Sequence, residues 1–160
     1  MLTDIQSDLP PPPRVEDITL QEVGDWFSVF LKHGPIAEML LDRGSIFQWR
    51  PPPSHLKPMK GTCWENAWNL TRRAGWQYAV GMAAHRVDFP PVQHGWAVDD
   101  DGFVVDLTWH GPGRWGVNYT ASEARVYYGV LLSCEDAHQL MSEKNALTVT
   151  ERLARHLGYL

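Results

Sequence analysis

The chain has 160 residues, 44% of them apolar, with 21% charged and a formal net charge of -5. That length supports one domain around one core and is short for two. The acidic balance, with no clustered Lys and Arg, argues against a nucleic-acid or anionic-membrane surface, and no run of about 18 apolar residues suggests a transmembrane helix.

Residues 1–16 read as an extended arm. Pro10 to Pro13 form a proline run that favours polyproline geometry and cannot enter a helix interior. The first 13 residues lack the basic start and apolar stretch of a secretory signal, so the expected compartment is the cytoplasm. The two cysteines, Cys63 and Cys134, are then expected to stay reduced. Residues 17–160 read as one domain. Thr19 and Glu22 have capping-box spacing, and Leu20, Val23, Phe27, Phe30 and Leu31 recur at helical period. A second helix is expected over 35–42, opened by Pro35 and stopped by Gly44. Arg50 to Pro53 must be a loop. Over 62–75 the signals agree best: Thr62 and Glu65 form a capping box, and Arg72, Arg73 and Gly75 make an ordinary helix end. Strands are expected over 76–82, 92–98, 103–109 and 124–132, with a turn at Asp99 to Gly102. Gly111 to Gly116 lacks the Lys of a phosphate loop and reads as a flap. From Ser133 to His156 the pattern is mostly helical. Helices followed by an antiparallel sheet and a closing helical segment make an α+β fold, with a core at about 60–132.

Cys63 falls at the first position of the capped helix. There a thiolate meets free backbone N–H groups and the positive end of the helix dipole, which favour the nucleophilic form and can hold an oxyanion. Strand alternation places His94, Trp96 and Val98 on one face. If the hairpin turns symmetrically about Asp100, His94 stands directly opposite Asp106, with Cβ atoms roughly 5 Å apart. Asp106 would then fix the imidazole tautomer, and His94 could deprotonate Cys63. The rival readings are a small buried cysteine, a half-buried sheet histidine and an aspartate capping the turn that follows it. Trp64, Trp96 and Trp109 are candidates for the walls of a substrate groove. Asn66 is expected to brace the nucleophile loop or the strand at Tyr127. Asp99 to Asp101 read as a solvated hairpin tip. His85 and His110 could join His94 as zinc ligands, but no metal-ligand spacing supports this, and neither a metal nor a cofactor is expected.

The segment Gly61-Thr62-Cys63-Trp64-Glu65-Asn66-Ala67 resembles the Gly-Ser-Cys-Trp helix start of papain-like proteases. The order of Cys63, then His94-Gly95-Trp96, then Asp106-Leu107-Thr108-Trp109 resembles the transglutaminase-like core more closely. Together with Tyr127-Tyr128-Gly129, the pattern is also similar to that of small bacterial and phage proteins. The resemblance covers about residues 60–132. It implies a helix bearing the nucleophile packed on an antiparallel sheet, with Cys63, His94 and Asp106 as a catalytic triad for protease, deamidase or transglutaminase-type acyl transfer. A protein or peptide substrate is implied. Papain-like enzymes carry an oxyanion-donating Gln shortly before the nucleophile; here the stretch has Lys57 and Lys60, which leaves Gln48 and the Trp64 backbone N–H or indole as candidates. The alternative function is a catalytically silent scaffold that serves as a protein-binding inhibitor or assembly factor.

Overall fold

The computed structural model describes residues 34–57, 59, 61–84, 90–109 and 126–160. The arm at 1–16, the helix expected from Thr19, the flap at 111–116, and His85 and His110 lie outside the described residues.

Local chemistry sets the helices. Helix α1, Pro35–Arg43, opens on its proline and ends at Gly44, whose N–H bonds the Leu40 carbonyl. Helix α2, Cys63–Ala74, is capped by the Thr62 side chain, which accepts from the Glu65 N–H, and closes on Gly75 in the left-handed region at φ 71°. The expected tail resolves into two helices, α3 at Cys134–Ser142 and α4 at Val149–His156. Ser133 caps α3, and a reciprocal Thr148/Glu151 capping box starts α4. Among the described residues, no helix is long and apolar enough to cross a membrane.

Five strands form one antiparallel sheet: β1 Ser45–Phe47, β2 Gln77–Ala84, β3 Val92–Val98, β4 Val104–Val105 and β5 Val126–Leu132, in the order β1-β5-β2-β3-β4. The helices cover one face. There Met39 and Leu40 of α1, Leu140 of α3 and Leu153 of α4 pack on Tyr78, Val80, Met82 and Tyr128. The opposite face gathers Ala79, Ala83, Trp96, Val98, Val104 and Tyr127, with Phe47, Trp49 and Trp109 against them. This mixed helix and antiparallel sheet is the α+β class read from the sequence.

The sheet curls. Trp49, two residues past β1, bridges Val104 on the opposite edge strand, and the Val104 N–H donates to the Gln48 carbonyl at 2.8 Å. Arg50 then clamps the β3–β4 turn, donating to Asp99 and Asp101 and lying over the Phe103 ring. Asp99 is therefore buried rather than solvated: its Oδ1 also accepts from the Asp101 and Phe103 N–H groups. The counter-charge of the turn is the guanidinium of Arg50. Replacing Arg50 by Met should lower the melting temperature more than replacing Asp101 by Ala, because only the first leaves the enclosed Asp99 carboxylate without its counter-charge. Equal melting temperatures for the two variants would remove Arg50 from this role.

The returning strand is shorter than expected, and its register differs. β3 and β4 pair Ala97 with Val105 and Val98 with Val104, so the ladder extends no further than Val105 instead of running to Trp109. The cause is Asp106, whose Oδ1 accepts from the N–H groups of Thr108 at 2.9 Å and Trp109 at 3.2 Å, which winds the chain into a turn. The register is offset by two residues from the symmetric one, and since strand side chains alternate, an even offset keeps the face.

Candidate active site

Helix α2 is seated so that its first turn meets β3. The Trp64 ring lies against Gly95, where an added Cβ would come within 2.8 Å of it, and the Tyr78 hydroxyl donates to the Trp64 carbonyl at 3.2 Å. Ahead of the helix, Gly61 at φ 116° takes a backbone conformation that a side chain would strain. Asn66 ties this entry to the end of β4, its Nδ2 donating to the Met59 carbonyl and, at 2.9 Å, to Thr108 Oγ1. The brace expected from Asn66 thus runs between the nucleophile loop and the Asp106 turn.

Cys63 is half-buried at the first helical position. The Thr62 side chain takes the N–H of Glu65 and the Thr62 carbonyl takes that of Asn66. The N–H groups of Cys63 and Trp64 have no acceptor among the described residues. The thiol lies near His94 and Tyr78, where its charge helps raise the imidazole and adds to burial in raising the phenol.

His94 is 2% exposed, and its Nε2 lies 2.7 Å from Asp106 Oδ2. Because the register is offset, the two are diagonal neighbours rather than directly opposed, and the carboxylate reaches back from its turn. The Trp109 ring stacks on the imidazole at 4.0 Å between centroids, and Trp96 lies nearly parallel to it at 6.4 Å. Burial pulls the His94 pKa down. The attraction and hydrogen bond of Asp106, with those of Cys63, overcome it and push the value from 6.5 up to about 9. Asp106 is held below the usual carboxylate range: burial opposes ionisation, while the His94 charge, the Tyr127 hydroxyl and the turn N–H groups favour it. The turn cap and the histidine partner are therefore not rival roles for Asp106, because one oxygen serves each.

Of the groove candidates, Trp64 and Trp109 are partly buried beside the thiol and the imidazole. Trp96 is fully enclosed, edge-on to Phe47 at 5.7 Å, so it backs the histidine from within the core. Gln48 is exposed and is tied to β4 through its backbone carbonyl. Sequence reasoning missed Tyr127. Its buried hydroxyl donates to Asp106 Oδ2 at 2.9 Å, the same oxygen that meets His94. The available signal was the Tyr127-Tyr128-Gly129 motif at the start of β5, read only as part of a pattern. A groove of about 610 Å³ between β5, α3 and α4, lined by Arg43, Leu132, Asp136, Leu140 and His156, includes none of these site residues. The chain matches no family model, no curated protein and no solved structure.

Proposed function

We propose that the protein is a thiol-dependent acyl-transfer enzyme acting on an amide or peptide-type bond, with Cys63 as nucleophile, His94 as proton carrier and Asp106 as its orienting partner. The observation that carries this reading is the buried His94–Asp106 pair, close enough to Cys63 for the thiol to help raise the imidazole: with Nε2 committed to Asp106, Nδ1 would serve the thiol. An imidazole that holds its proton beside a thiol favours the nucleophilic form of the sulfur.

In the reaction, the Cys63 sulfur forms a bond to the carbonyl carbon as the carbonyl π pair moves onto oxygen. The N–H groups of Cys63 and Trp64, which have no acceptor among the described residues, would receive that oxyanion, a role that needs no glutamine ahead of the helix. Collapse breaks the C–N bond, and the departing amine takes the proton from His94. Neutral His94 then accepts a proton from the incoming water or amine as it attacks the thioester, and the thiolate leaves.

Cys134 supplies an internal control. It too begins a capped helix, at an exposed site, but β3 presents no histidine to it. Iodoacetamide at pH 7 is expected to alkylate Cys63 at least about tenfold faster than Cys134, although Cys63 is the less accessible, and His94→Ala should erase the difference. Mass spectrometry of the two peptides reads the ratio, and equal rates in the native chain would sink the activated-thiol reading. An amide or thioester probe should then leave its acyl group on Cys63 and none on Cys63→Ala.

A further inference from the structure

Asp106 is saturated with donors, two on each oxygen. Oδ1 takes the N–H groups of Thr108 and Trp109, while Oδ2 takes His94 and the hydroxyl of Tyr127. The Oδ1 pair already fixes the plane of the carboxylate, so the hydroxyl is not needed to hold it in place. Its ring is explained by packing: it meets Trp96 at 5.1 Å, Trp109 at 6.1 Å and His94 at 6.2 Å, and it is wholly buried. A phenylalanine would pack as well. The hydroxyl acts on the charge of Oδ2 through its hydrogen bond.

We infer that Tyr127 is a positioning residue of the site, whose hydroxyl competes with the His94 ring for one Asp106 oxygen and thereby sets how firmly His94 holds its proton. The inference builds on the acyl-transfer reading, since a proton carrier must both keep a proton beside the thiolate and release it to a departing amine. A carboxylate whose charge is shared with a second donor is a weaker base toward the first. Tyr127 therefore moderates His94, easing proton release without breaking the pair. Among the described residues, the groups that bear on the His94 charge are Cys63 from α2, Asp106 from the turn and Tyr127 from β5, and β2 presents Gly81 opposite it.

The test is NMR titration of the His94 ring nitrogens in the full chain. Tyr127→Phe should move the His94 titration upward by about half a unit or more, because Oδ2 is left to His94 alone. Should that variant fold poorly, 3-fluorotyrosine installed at position 127 keeps the ring and makes the hydroxyl a stronger donor, and it should move the titration downward. A titration unmoved in both proteins, or moved in the opposite senses, would overturn the assignment and leave Tyr127 a packing residue. The readout does not depend on catalysis: if Cys63 fails to outpace Cys134 while these shifts appear, the acyl-transfer reading falls and the Tyr127 assignment stands.

Discussion

Asp106→Asn should drop the His94 pKa from about 9 to below the ordinary 6.5, because burial, the one influence that lowers it, then loses its main opponent. The substitution keeps the shape of the side chain. The Asn oxygen can still accept from the Thr108 and Trp109 N–H groups, which turns its amide N–H toward Nε2. Nε2 then becomes an acceptor, and the remaining ring proton moves to Nδ1, on the side of the thiol. Such a ring cannot take a proton from Cys63. Without that base the sulfur reacts as an ordinary thiol, so alkylation of Cys63 at pH 7 should fall by about tenfold or more, to the rate of Cys134, and turnover should fall at least as far. Thermal melts across pH provide the second readout. In the native protein His94 has a raised pKa, so its contribution to stability is full below 6.5 and fades as pH rises through about 9. Asp106 has a lowered one, so its contribution is full above 3.8 and fades as pH falls through the depressed value. Both fades should vanish in Asp106→Asn. A variant that keeps native alkylation rates would remove Asp106 from the site.

Gly81→Ala is expected to be among the most damaging single-methyl additions, costing about 3 kcal/mol or more. Gly81 faces His94 on β3 and Gly129 on β5. A Cβ there would fall 2.2 Å from the Tyr128 carbonyl oxygen and 2.5 Å from the Gly129 Cα, which are backbone atoms that no rotamer change can move. Gly129 is similarly confined, since its Cβ would meet the Trp96 ring at 2.6 Å. The glycine pair gives β5 and β2 a close approach directly behind the histidine and leaves room for the indole. Denaturant unfolding of Gly81→Ala measures the cost, and a loss under about 1 kcal/mol would mean that the strands separate freely at this point.

The sequence was most legible where one local rule acts alone. Strand β3 and helix α2 follow from alternation and capping, and Cys63 takes its place from Thr62. The offset register was not legible, because a turn's length depends on what its side chains grip. Asp99 ties the turn to itself and to Arg50, a partner 49 residues away. The face survived because the offset is even. The end of β4 was hidden by Asp106, whose carboxylate serves both the histidine and the following turn. β1 escaped notice because its three residues carry no alternation long enough to read and depend on β5 for their pairing. Tyr127 was missed because sequence alone cannot tell which acceptor the hydroxyl of a buried phenol finds.

The strand order has a consequence for synthesis on the ribosome. β5 is the last of the described strands to be made, yet it lies between β1 and β2, which are made long before it. Until β5 emerges, β1 lacks the neighbour it has among the described strands, and Asp106 lacks its phenol. A nascent chain that has already exposed Cys63 thus carries a thiol without its finished surroundings. β5 thus acts as a completion check, since the network around Asp106 and His94 closes only when this strand is in place.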